Sequence, residues 1–256
     1  MISYDVLREI IKSVFYTKMQ QGYNVEQMQE ELRNIPDSYD ALFDFGKRLE
    51  KAPMREDWPY REPNDLEGIM KECDPSRPKG TIGNIDISDS SKRVRTAFLS
   101  SVCGCILGKP IEEYPFATLN DVRKALETTG EWPLNDYISE QMLDVYGRRN
   151  VSWKYTTKGN INFVDYDDDI TYTIIGMMLL EQFGMNFTKD NIKLIWIENL
   201  PIYTTWGPER TMLIRAGISS LGPQCKYDMD EWVGTFNPGD ERCGALIRAD
   251  SYGYAC

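Results

Sequence analysis

Histidine does not occur anywhere in this 256-residue sequence. Its absence removes Ser-His-Asp and Cys-His catalysis and every metal site built on imidazole. Any chemistry must rest on carboxylates, hydroxyls, thiols or metal–oxygen ligation. Cysteine is sparse as well: the six residues at 73, 103, 105, 225, 243 and 256 include no C-x-x-C pair. Spread over a chain this long, they do not read as a disulfide framework. Reduced thiols in a cytoplasmic protein are expected, and without imidazole they argue against zinc. Long apolar runs are missing too. The most apolar stretch, Ile170 to Leu180, is far short of the ~20 residues of a membrane span. Met1-Ile2-Ser3-Tyr4-Asp5 lacks the basic start of a signal peptide. Positive charge is in deficit, with 29 Lys+Arg against 40 Asp+Glu and a net charge of −11, so a basic nucleic-acid surface of the usual kind is not expected. There is no internal repeat, heptad run or low-complexity tract.

What is present is helical punctuation. Val6, Leu7, Ile10, Ile11, Val14, Phe15 and Met19 recur at helical spacing and end before Gly22. Asn24 with Gln27 resembles a capping box opening a second helix through Leu32, and Asp37-Ser38 opens a third carrying Tyr39, Leu42, Phe43 and Leu49. Prolines at 53, 59, 63, 75 and 78 predict a mostly irregular connector over 52–88. Val94 to Cys105 is periodic again and rich in small residues. Thr118 with Asp121 starts a helix through Leu126 that Gly130 ends. Asp169 to Phe183 is a strongly apolar helix closed by Gly184, Thr188 caps the helix that Pro201 terminates, and Pro208 opens one to about Gly217. Strand candidates are short and confined to 151–155 and 161–164. The expectation is an all-α fold.

Three constellations bear on chemistry. Four acids stand in five positions at Asp165, Asp167, Asp168 and Asp169, directly before an apolar helix. One reading is ordinary helix-terminus electrostatics. The other is oxygen ligation of Mg²⁺, Mn²⁺ or Ca²⁺, because one cap needs one acid and adjacent carboxylates otherwise raise each other's pKa. The second constellation, Gly104 to Glu112, runs a small-residue helix into Gly108-Lys109-Pro110 and then an acid. Read as a phosphate cradle, it lacks the spacing and preceding strand of a P-loop; the other reading of Gly108 is a helix stop, and Glu112 reads as a general base or metal ligand. The third places Arg210 after Gly207-Pro208-Glu209, and Arg248 and Tyr252 near the C-terminus. These residues suit phosphate clamping and ring stacking, or buried Arg–carboxylate pairs. Cys103-Gly104-Cys105 reads as helix packing.

In order along the chain, these segments resemble the ADP-ribosylglycohydrolase family. Residues 95–112 are similar to its opening helix and Gly-x-Pro-x-Glu turn, and Asp167-Asp168-Asp169-Ile170-Thr171 to its Thr-Asp-Asp metal motif. Trp196–Pro201, Glu209-Arg210 and Ile247–Asp250 resemble further segments of a bacterial branch that carries a helical extension. The resemblance implies a compact orthogonal multi-helix fold, with 1–90 as helical extension and Pro/Gly-rich connector and 91–256 as the N-terminal part of the family domain. It implies a two-magnesium hydrolase, manganese being an alternative, that cleaves the glycosidic bond of ADP-ribose from a modified side chain or small conjugate. Asp167, Asp168 and Asp169 would then be metal ligands, Glu112 and Asp168 catalytic, and Gly108, Arg210, Arg248 and Tyr252 substrate-binding. In two places the chain departs from the pattern: Asp167 stands where the family has threonine, and the family's Asp-x-Asp-Thr-type segment is not found before Cys256. A chain incomplete at its C-terminus is therefore expected. The alternative function is a catalytically inactive ADP-ribose-binding or protein-interaction member. Apolar surface left by the incomplete fold is expected to favour a homo-oligomer or a missing segment as partner, with neither nucleic acid nor membrane involved.

Overall fold

The computed structural model describes residues 3–80, 83–116, 118–149, 152–219 and 229–255; Cys225 and Cys256 lie outside them. In chain order the α-helices are α1 (Tyr4–Gln20), α2 (Gln29–Asn34), α3 (Tyr39–Glu50), α4 (Leu66–Glu72), α5 (Ile87–Gly108), α6 (Leu119–Thr129), α7 (Glu140–Asp144), α8 (Trp153–Thr156), α9 (Asp168–Phe183), α10 (Lys189–Asn199), α11 (Gly207–Ser219), α12 (Met229–Phe236), α13 (Gly244–Ile247) and α14 (Asp250–Ala255). Among the described residues no β-strand occurs, only an isolated antiparallel bridge between Tyr23 and Met54. The fold is all-α, and no described helix is long and apolar enough to cross a membrane.

The chain divides into two compact units, Met1–Asn84 with Trp196–Ala245, and Ile85–Ile195 with Leu246–Cys256. The first break falls after Asn84, and Trp196–Ala245 groups with the N-terminal segment.

In the first unit, Ser3 caps α1 by accepting from the Val6 N–H. Leu7, Ile11, Val14 and Phe15 share one helical stripe, buried together with Leu42, Phe45 and Leu49 of α3. Each such side chain contributes roughly 1.5–3 kcal/mol by leaving water. Helix α12 completes this core: Phe236 packs so closely over Gly46 that a Cβ there would stand 2.5 Å from its ring.

The second unit holds two cores. One gathers Phe116, Ala125, Leu126, Ile138, Met142 and Leu143 around α6 and α7. Thr118 caps α6, and Gly130 ends it at φ 75°, in the left-handed region that glycine enters without strain. Glu131 ties the pair by accepting from Thr129 Oγ1 at 2.8 Å and from Ser139 Oγ, the cap of α7, at 2.6 Å. The other core joins Val102 and Ile106 of α5 to Ile170 of α9. Helix α14 packs on α9 where Gly176 removes the side chain that would collide with Ser251.

Local expectations failed where side-chain hydrogen bonds or exposure overrode pattern. Val151 of the first strand candidate lies outside the described residues. The rest of it is the helical turn α8, because Thr156 and Thr157 donate their hydroxyls to the carbonyls of Ser152 and Trp153 four residues back. The second candidate, 161–164, is irregular, with Phe163 and Val164 half exposed and no strand beside them. Gln27 donates its side-chain N–H to the Asn24 carbonyl instead of forming a capping box, and the chain makes a 3₁₀ turn before α2. The 52–88 connector contains α4, whose cap, Asp65, accepts from Gly68 N–H at 2.8 Å.

Candidate functional site

Two helix ends build the site. Helix α5 runs to Gly108, after which Lys109 and Pro110 turn into a short 3₁₀ segment ending at Ile111, with Glu112 next. A proline ring has no N–H to give and clashes with the preceding turn, which accounts for the change of path. Helix α9 starts at Asp168, capped by Asp167, whose Oδ1 accepts from the Asp169 N–H at 3.1 Å while its carbonyl accepts from Thr171. Contact between α5 and α9 through Ile106 and Ile170 sets these ends side by side.

The result is a lysine held between acids. Lys109 Nζ is 3.0 Å from Glu112 Oε2 and 3.1 Å from Asp167 Oδ2. Its side chain is 14% exposed, that of Asp167 8%, and that of Glu112 55%. Burial alone would push the lysine to lose its proton, but Asp167 and Glu112 outweigh it and hold Lys109 protonated well above its ordinary range. The carboxylates are raised as well, which for them favours the neutral form. Partial desolvation, then the charge of Asp167, raises half-buried Asp168; partial desolvation, then the hydrogen bond and charge of Asp167, pushes Asp169 up to about 6, although that residue is exposed.

Cys105 completes the arrangement one turn before Lys109, whose backbone N–H donates to its carbonyl. One ligand-type atom from each of Cys105, Asp167 and Asp169 lies within 4.8 Å of the others. Burial, then the neighbouring aspartates, pushes the Cys105 thiol up to about 11, so it stays protonated and is a poor donor for a hard cation. The carboxylates are better suited. The hard oxygen donors of the cluster are therefore the carboxylates of Asp167 and Asp169.

The expected site residues divide by place. Gly108, Glu112, Asp167, Asp168 and Asp169 come together at the α5 and α9 ends, and a Cβ on Gly108 would meet open space. Arg248 and Tyr252 belong to the same unit but to the α13–α14 region. The Tyr252 ring stacks on Phe187, beyond the C-terminal end of α9, with centroids 5.5 Å apart. A 16-residue helix is about 24 Å long, so that ring lies toward the opposite end of α9 from the acids. Burial raises the Tyr252 hydroxyl, which is the behaviour of a packed ring. Arg210 belongs to the first unit, where it donates to the Tyr203 carbonyl at 3.4 Å.

Lys109 and Cys105 received no site role from the sequence. Lys109 sat in a segment weighed as a phosphate cradle, and its signal was the sequence Lys-Pro-Ile-Glu, a cation three residues from an acid at a helix end. Cys105 gave no signal beyond its place in the helical repeat with Ser101 and Val102. No protein-family model, curated protein or solved structure matches the chain.

Proposed function

We propose that the chain is a magnesium-dependent hydrolase of the ADP-ribosyl glycosidic bond, acting on a modified protein side chain or a small ADP-ribose conjugate. The observation that supports this reading most is the meeting of Glu112 with Asp167 at Lys109, because the two acids are remote in sequence and belong to the two segments that resemble the family's catalytic and metal motifs. Asp167 and Asp169 would hold the cation, with Asp168 beside them. When bound, magnesium supplies Lewis-acid polarisation of ribose hydroxyls and lowers the pKa of a bound water. Glu112, with more than half of its side chain exposed, would accept a proton from the water that attacks the anomeric carbon. Asp167 holds the start of α9, and so keeps Asp168 and Asp169 on one helical turn while substrate binds.

A second reading has its own support. Lys109 already offsets the charge of Asp167 and Glu112, as it would in a non-catalytic ADP-ribose-binding or protein-interaction member of the same family. One experiment separates the two. Peptides ADP-ribosylated on arginine or serine are incubated with the chain in Mg²⁺ and in chelator, and released ADP-ribose is measured. The hydrolase reading expects release that needs Mg²⁺ and falls at least about a hundredfold in E112Q, the scale of a lost general base. Release that D168N and D169N leave unchanged would remove the metal assignment. Binding of ADP-ribose without release would support the second reading.

A further inference from the structure

We propose that Lys109 is a tethered counter-cation that competes with a divalent ion for Asp167, and so sets how tightly this acidic centre takes a metal. The inference rests on the metal-centre reading above and concerns its regulation.

The argument begins with what each oxygen of Asp167 already does. Oδ1 caps α9 through the Asp169 N–H at 3.1 Å, and Oδ2 faces Lys109 Nζ at 3.1 Å. A cation that recruits Asp167 must either share the capping oxygen or take the one that Lys109 holds. Sharing sets an ammonium and a divalent ion on one carboxylate in a largely buried place, where like charges repel far more than in water. Lysine suits such a reversible role: its charge is a compact point on a flexible four-carbon stem, and no fixed fork geometry must be undone for it to move. Nor would displacement leave it unpaired. Glu112, at 3.0 Å and half exposed, can keep the ammonium while Asp167 turns to the metal. The protein thus has two self-consistent states: Lys109 bridging Asp167 and Glu112, or Lys109 on Glu112 alone with the metal on Asp167 and Asp169. Without a metal, the bridged state holds the end of α5 against the start of α9, and this keeps the acids gathered.

The test uses Mn²⁺ as the probe, titrated into the full chain without substrate and followed by the electron-spin signal of the free ion. Thermal unfolding of each variant checks its fold. K109M should bind Mn²⁺ at least about tenfold more tightly than wild type, since a repelling charge has gone. K109R, which keeps the charge, should stay within about threefold of wild type. If K109M does not fold, K109Q replaces it, keeping a donor for Asp167 without the charge. Equal or weaker Mn²⁺ binding by K109M and K109Q, with wild type still binding, would overturn the proposal and leave the metal centre standing. Failure of wild type and all variants to bind Mn²⁺ would overturn both.

Discussion

Lys109 Nζ stands 3.1 Å from Asp167 Oδ2, with only 14% and 8% of the two side chains exposed, so a shielded ion pair fastens the end of α5 to the start of α9. Shielding gives this contact its weight. Surface ion pairs contribute about 0–1 kcal/mol, whereas removing one partner of a buried pair costs roughly 3–5 kcal/mol because the other charge stays behind without its counter-ion.

Asp167 has two duties that substitution can separate. D167A removes both the counter-ion of Lys109 and the cap of α9, and is expected to lower unfolding stability by roughly 3–5 kcal/mol. D167N keeps an oxygen for the Asp169 N–H and should recover the capping share, about 1 kcal/mol. Urea unfolding measures both. A D167A chain as stable as wild type would mean that the pair contributes nothing, and equal losses in the two variants would mean that the cap contributes nothing.

The helices were legible where a cap, an apolar stripe and a stop agree. For α1 and α6 the periodic residues and Gly22 or Gly130 near the end point to one answer, with Thr118 marking the start of α6. Helices α7 and α8 were missed because each is about one turn long, too short for a period to show. The meeting of Glu112 with the α9 acids followed from resemblance alone, since no local rule tells which helix ends come together. The lysine between them was hidden for a related reason. A lysine followed three residues later by a glutamate reads as a surface pair until packing buries it, and that packing depends on Ile106 and Ile170 meeting across two helices.

Gly176 is a second contact that sequence could not assign, because its cause lies on α14. A Cβ at this position would collide with the Oγ and Cβ of Ser251, which is 1% exposed. G176A should therefore destabilise the second unit by about 1–3 kcal/mol, the usual cost of overpacking, although alanine is the better helix former. S251G in the same chain should restore part of the loss, and S251A less. If G176A raises the thermal midpoint, α9 and α14 are not packed this closely.

Asp240 carries the clearest prediction of pH dependence in the first unit. Partial desolvation of its carboxyl, although the residue as a whole stays exposed, then the hydrogen bond and charge of Glu241, raises it from 3.8 to about 6, with Lys18 opposing. The unfolded chain has no such environment, so there the group releases its proton near its ordinary value. Between about pH 4 and 6 the folded state therefore binds more protons than the unfolded state, and stability falls as pH rises through that window, levelling above it. D240N has no proton to release. The two proteins should unfold at similar urea concentrations near pH 4, and D240N should become progressively the more stable up to pH 6, holding a constant lead to pH 7. E241Q should shrink that lead, since the charge that keeps Asp240 protonated has gone. A lead for D240N that is the same at pH 4 and pH 7 would show that Asp240 ionises alike in both states, and that Glu241 does not act on it in the folded protein.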